Sequence, residues 1–208
     1  MKQTEIEFKW EANVPRAFWR MRRVLQKTKV QMAPTQICQI TDTYFDNSFN
    51  DFERNQMALR LRCCNQHWEA TLKSRTKIIN GKAVRFEDTW DLPKVKSLKQ
   101  SLDVLRHKKS WEGCDIQNVR PLFMLKNHRE IQQIKSKNWQ AEISFDNCEI
   151  LVCGRRIFLK EIELEFKKGD IASFEQYARQ LTRNSGLNKA RVSKVKTACS
   201  LLKLWGEK

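Results

Sequence analysis

The sequence predicts an α+β fold in which a meander of antiparallel β-hairpins is interrupted by a few helices. Three observations predict it. Apolar and polar residues alternate with a period of two over 4–12, 36–46, 57–64, 67–74, 83–91, 123–134, 139–147, 149–153 and 156–167. Short turn signals join several of these segments: Asn65-Gln66, Asn80-Gly81, Lys137-Asn138 and Cys153-Gly154. Other stretches carry the spacing of amphipathic helices instead.

The helices follow in order. Asn13 is placed to cap the first, with Pro15 in its first turn and Phe18, Met21 and Leu25 as its apolar stripe, running towards Lys29. The second spans 97–108, with Leu98, Leu102 and Leu105 on one side. Asp170 caps the third, Phe174, Tyr177, Ala178 and Leu181 share its face, and Gly186 stops it. The fourth, 190–205, repeats Val192, Val195, Cys199 and Leu202. The Pro- and Lys-rich stretch around 92–100 reads as a connection, so residues 1–208 are expected to form one domain.

Hydrophobic residues make up 40% of the chain, too many for a disordered one. Lys+Arg is 40 against 24 Asp+Glu, a formal net charge of +16, which points to polyanionic partners: nucleic acid, or a small ligand such as a nucleotide or polyphosphate. The polar start MKQTEIEFKW contains no secretory apolar core, and no run of eighteen apolar residues occurs, so no membrane partner is expected and the cytoplasm is the expected location. The seven cysteines fit no zinc spacing and include no CxxC, as expected of reduced thiols.

Side chains alternate faces along a strand. Glu5, Glu7 and Lys9 therefore share a face, as do Arg60 with Arg62; Glu69, Thr71 and Lys73; Arg85 with Glu87; Glu142, Ser144 and Asp146; and Glu161, Glu163 and Glu165. A half-exposed sheet has a polar outer face by default. Here, however, the charges are sorted, with carboxylates on the first and late strands and cations on the middle ones. Carboxylates two residues apart stand about 7 Å from one another, and three in a row repel. That row suggests a bound cation. The other geometry is a closed barrel with the apolar faces outward under the helices. Its interior would be a wet tunnel, where carboxylates suit Mg²⁺ or Mn²⁺ and arginines and lysines clamp phosphate oxygens.

Those residues resemble the CYTH superfamily, the triphosphate tunnel metalloenzymes, along nearly the whole chain. Glu5-Ile6-Glu7-Phe8-Lys9 matches its ExExK signature, Tyr44-Phe45-Asp46 its aromatic-aromatic-acid segment, and Arg60 and Arg62 of ALRLR its paired arginines. Lys73 of ATLK, Arg85-Phe86-Glu87, Arg129 of NHRE, the acidic strands AEISFDN and EIELEF, and Lys194 of RVSK follow in order. The resemblance implies a closed eight-stranded antiparallel β-barrel with helices packed outside. RPLF, EIELEFKKGD and LNKARVSK look most like the bacterial inorganic triphosphatases, which often carry a helical CHAD domain after the barrel; the sequence has no such domain before Lys208.

The resemblance also implies roles. Glu5, Glu7, Asp146, Glu161, Glu163 and Glu165 would hold the metal. Lys9, Arg60, Arg62, Lys73, Arg85, Arg129 and Lys194 would hold the triphosphate, and Glu161, Glu163 and Lys9 would serve catalysis. The implied reaction is metal-dependent hydrolysis of a small triphosphate, first of all inorganic tripolyphosphate. Thiamine triphosphate hydrolysis, adenylate cyclisation and a non-enzymatic polyphosphate- or RNA-binding module are the alternatives, and no sequence-specific nucleic acid is expected. His67, His107 and His128 form no pair at ligand spacing, and Trp10, Trp68, Trp90, Trp139 and Trp205 read as packing residues.

Overall fold

The strand alternation is realised as one closed sheet. The computed structural model describes residues 2–74, 77–79, 81–92, 94–107 and 114–206. The elements are β1 (Lys2–Glu11), α1 (Ala17–Gln26), β2 (Gln31–Met32), β3 (Gln36–Asp46), α2 (Asp51–Arg54), β4 (Ala58–Cys64), β5 (His67–Lys73), β6 (Lys77–Ile79), β7 (Lys82–Asp91), α3 (Leu98–Arg106), β8 (Arg120–Lys135), β9 (Trp139–Val152), β10 (Arg155–Gly169), α4 (Ile171–Ser185) and α5 (Lys194–Gly206). Eight strands follow the antiparallel order β1-β10-β9-β8-β3-β4-β5-β7, and β7 pairs back onto β1 with Glu5 opposite Arg85. That last pairing closes the barrel and removes its free edges. The short β2 and β6 pair with β8 and β7 outside this ring.

The turns follow their residues. Asn65 and Gln66 both have positive φ (50° and 67°), and so do Cys153 and Gly154 (48° and 71°). Two consecutive positive φ values match the right-handed twist of a tight hairpin. Outward-facing Phe8, Ile143, Ile162 and Leu164 bury under Met21 and Leu25 of α1 and Phe174 and Leu181 of α4. Leu59, Leu61 and Leu72 bury under α2 and α3, through Phe52 and Leu105. Towards one end, the strand faces that carry the charges turn apolar. There Phe123, Leu125 and Ile150 pack against Ala198 of α5.

Several expectations need correction. Segments 139–147 and 149–153 are one strand, because Cys148 stays extended and buried within β9. Asn13 does not cap α1. Its Oδ1 accepts the Lys160 backbone N–H at 2.6 Å, and α1 begins after Arg16, which sits in the left-handed region. The last helix starts at Lys194, four residues late, because the chain pairs with β1 as far as Ala190: Glu11 N donates to Asn188 O and Ala190 N to Lys9 O, both at 2.9 Å. Helix α2 carries no periodic signal. It forms because the buried Asp46 carboxylate accepts the Phe52 and Glu53 backbone N–H groups, each at 3.0 Å. Asp170 and Gly186 cap α4 as expected. Asn80 and Lys108, at the ends of an expected turn and helix, lie outside the described residues. Among the described residues, no helix is long and apolar enough to cross a membrane.

Candidate active site

Closure places β1 between β7 and β10, and this decides which charges meet. Glu5 lies opposite Arg85 on one side, while Lys9 and Glu7 lie opposite Glu163 and Glu165 on the other. Charges sorted along the chain are thus interleaved in space. They surround a cavity of about 1110 Å³.

Three carboxylates converge at its wall: Asp146 from β9 with Glu161 and Glu163 from β10, each offering an oxygen within 4.8 Å of the others, and of these Glu163 lines the cavity. Lys194, at the start of α5, reaches all three, with Nζ 2.6 Å from Asp146 Oδ2, 2.6 Å from Glu161 Oε2 and 2.7 Å from Glu163 Oε1. Arg129 donates bidentately to Asp146 at 2.6 Å and also reaches Glu163 at 2.7 Å. Lys9 pairs with Glu163 and sits 3.0 Å from Glu7. The carboxylate row of β10 is therefore not unrelieved, as the sequence suggested: Lys9, Lys194 and Arg129 meet it, and Lys167 meets Glu165 at 2.7 Å.

A second group centres on Arg85, which contacts Glu5 at 2.6 Å, Glu7 at 2.8 Å and Glu87 at 2.6 Å, while Lys73 holds Glu87 at 2.5 Å. A third pairs Asp42 bidentately with Arg62, at 2.7 and 2.8 Å. Arg60 beside it donates to Thr71 at 2.9 Å and to Glu69 at 3.2 Å.

Burial sets the titration of these groups. It pushes Glu161 up to about 7, Lys194 and Lys9 only partly offsetting it. Burial and the neighbouring Glu7 push Glu5 up to about 8, despite Arg85. Burial would raise Glu163 too, but Lys194, Lys9 and Arg129 together outweigh it and hold that carboxyl well below its usual range. Both partners of one pair are lowered: Glu87 by Lys73 and Arg85 against burial, and Lys73, to about 8, by burial and the flanking Arg60 and Arg85. An ammonium wedged between two guanidinium groups is the least favourable cation of the tunnel.

The donor set fits a hard divalent ion. Asp146, Glu161 and Glu163 supply oxygen ligands from two adjacent strands. The buried Glu5 Oε2, Glu7 Oε1 and Glu161 Oε2 make no well-aligned hydrogen bond, although each lies close to a cation. Such oxygens retain acceptor capacity. Of the six carboxylates expected to hold metal, Asp146, Glu161 and Glu163 come together. Glu7 adjoins them through Lys9, Glu5 turns to Arg85, and Glu165 turns to Lys167. Each cation expected to hold the triphosphate lines the same cavity.

Sequence reasoning missed Asp42 and Lys167 as tunnel groups. The signal was present, since Asp42 shares a face with Tyr44 and Asp46, and Lys167 continues the odd-numbered face of β10. His67 and His128 instead pair outside the tunnel, with Asp91 and Gln39. Trp10 is fully buried and donates to Thr182 Oγ1 at 2.9 Å.

Comparison with known proteins adds the relatives. The family model described as CYTH domain matches residues 3–199. An inorganic triphosphatase of Haemophilus influenzae is 24% identical over 155 residues, covering 74% of this chain and 44% of that protein, so the chain spans less than half of that relative's length. A Hippeastrum protein, named as an adenylyl cyclase with a dominant triphosphatase activity, superposes with a TM-score of 0.71 at 19% identity, over 94% of this chain and 95% of its own. A Bacillus halodurans protein named as an adenylate cyclase gives a TM-score of 0.63 at 20% identity, over 94% and 97%.

Proposed function

The chain belongs to the CYTH domain family, and on that footing we propose that it is a divalent-metal-dependent triphosphatase acting on a small triphosphate, inorganic tripolyphosphate first. One observation carries this: a single cavity of about 1110 Å³ is lined by Lys9, Arg60, Arg62, Lys73, Arg85, Arg129 and Lys194, and Glu163 brings a converging carboxylate cluster to its wall. A binding module would need only the cations.

Arg60, Arg62, Lys73 and Arg85 hold the phosphate chain, the guanidinium groups through paired N–H donors. Asp146, Glu161 and Glu163 would hold Mg²⁺ or Mn²⁺, with Glu7 beside them. The ion, when bound, supplies Lewis-acid stabilisation of charge on a phosphoryl oxygen. Lys9, Arg129 and Lys194 keep Asp146 and Glu163 ionised and oriented, and can turn to the transferring phosphoryl group as its charge develops. Water attacks the terminal phosphorus, the bridging P–O bond breaks, and phosphate and pyrophosphate leave. A carboxylate of the cluster, Glu161 or Glu163, accepts the proton released by that water.

The test gives the purified chain tripolyphosphate, thiamine triphosphate and ATP in parallel, with MgCl2 or MnCl2, and scores phosphate and cyclic AMP. Metal-dependent phosphate release, fastest from tripolyphosphate and lost in Glu163→Gln, is expected. A folded sample that releases nothing from any substrate refutes the assignment, and cyclic AMP without phosphate replaces hydrolysis by cyclisation.

A further inference from the structure

Inside the tunnel, cations and carboxylates are matched nearly one for one, so the +16 excess lies outside it. It is not spread evenly. No Asp or Glu occurs from Ala12 to Thr41, a stretch that holds Arg16, Arg20, Arg22, Arg23, Lys27 and Lys29. None occurs from Gln176 to Gly206, which holds Arg179, Arg183, Lys189 and Arg191 ahead of α5. The fold lays these two acid-free segments side by side: Thr28 Oγ1 meets the Tyr177 hydroxyl at 3.2 Å, and the Arg20 guanidinium lies against Gly186. Arg22 and Arg179 are neutralised by Glu130 and Glu175. Arg16, Arg23, Lys27, Arg183 and Arg191 are exposed, and no carboxylate among the described residues pairs with them.

Along α1 and its two flanking residues, Arg16, Arg20, Arg23 and Lys27 follow one another at spacings of three and four, so like charges form one stripe. Trp19 sits within that stripe, 51% exposed, with the Arg23 guanidinium 4.9 Å from its ring centroid. We propose that this α1–α4 face binds single-stranded nucleic acid, without reading its sequence, at a site separate from the tunnel. The unpaired cations suit a phosphate backbone, and an exposed indole backed by a guanidinium offers a base its stacking face. Polyphosphate would use the cations and leave Trp19 idle. A lipid surface would need the apolar side of α1, but Ala17, Met21 and Leu25 on that side are buried in the core.

The experiment is fluorescence anisotropy on the full chain with a labelled mixed-sequence single-stranded RNA, in EDTA, over a salt series. It reads binding alone, so its outcome is independent of whether the tunnel hydrolyses triphosphates. Arg16→Gln/Arg23→Gln/Arg183→Gln is expected to lower affinity at least tenfold and to make the salt slope shallower by about 2, from 0.7 per lost phosphate contact on a single strand. Trp19→Ala is expected to weaken RNA binding by about tenfold and to leave the binding of long-chain polyphosphate unchanged. Thermal melts confirm that the variants are folded, and their tripolyphosphate turnover is expected to equal that of the unsubstituted chain. A triple variant that binds RNA normally overturns the site. Trp19→Ala without effect on RNA overturns the nucleic-acid assignment in favour of a general polyanion. Binding to phosphatidylserine vesicles with none to RNA overturns it in favour of a membrane.

Discussion

Replacing Lys194 with methionine tests how the carboxylate cluster is held together. The Lys194 ammonium lies 2.6–2.7 Å from Asp146, Glu161 and Glu163, and its pKa is raised well above the ordinary lysine value: burial opposes the charge, but those three carboxylates outweigh it. Methionine keeps the length and removes the charge, leaving three buried carboxylates to Lys9 and Arg129. Breaking a buried ion pair from one side costs about 3–5 kcal/mol. For a domain of this size each kcal/mol is worth about 2–4 °C, so in EDTA the variant is expected to melt about 6–20 °C below the unsubstituted chain. The same ammonium occupies the oxygens that a divalent ion would use. Its removal therefore frees ligands, and MnCl2 is expected to raise the melting temperature of the variant by more than that of the unsubstituted chain, through mass action on the folded state alone. Differential scanning calorimetry with and without MnCl2 measures both effects. A variant that melts with the unsubstituted chain in EDTA shows that Lys194 does not hold the cluster. One that gains less from MnCl2 shows that ammonium and metal do not compete there.

Other outcomes are expected. Asp42→Asn strands the Arg62 guanidinium, costs about 3 kcal/mol and lowers the melting temperature by about 6–12 °C. Arg62 holds Asp42, despite its burial, far below the usual carboxylate range, so this contribution is present at neutral pH and is lost only as pH falls below 3.8, the unfolded value. Lys73, at about 8 instead of 10.5, loses its charge first among the tunnel cations. The KM for tripolyphosphate should therefore rise as pH passes 8, and in Lys73→Arg that rise should disappear; an unchanged profile removes Lys73 from substrate binding. Between 8 and 10.5 the unfolded chain holds a proton that the folded one lacks, so this group opposes folding less and less as pH rises through the window. Glu163→Gln, which removes a charge shared by three cations, is expected to lower kcat by about 10²–10³ while the chain still folds by far-ultraviolet circular dichroism.

Much of this was legible in one dimension. Period-two alternation assigns each side chain of β1, β4, β5, β7 and β10 to a face, because a strand offers only two. That alone puts Glu5, Glu7, Lys9, Arg60, Arg62, Lys73 and Glu163 together on the inside of any closed sheet. The helix stripes at Met21, Leu25, Phe174 and Leu181 marked the faces with which these helices would cover the barrel. Short-range chemistry was read less well where a distant partner competed for it: Asn13 serves the Lys160 backbone and not its own helix, and the chain pairs with β1 as far as Ala190 before α5 starts.

The sequence by itself determined the inventory of the tunnel, since the faces of a strand depend on local geometry alone. Which acid meets which base was decided only by closure. With β7 and β10 on either side of β1, Arg85 reaches Glu5 and Glu7 and Lys9 reaches Glu163, pairs far apart along the chain. The convergence of Lys194 on Asp146, Glu161 and Glu163 likewise depends on where α5 docks across the end of the barrel. No spacing along a chain encodes that distance, because it is set by the packing of elements that meet only in three dimensions.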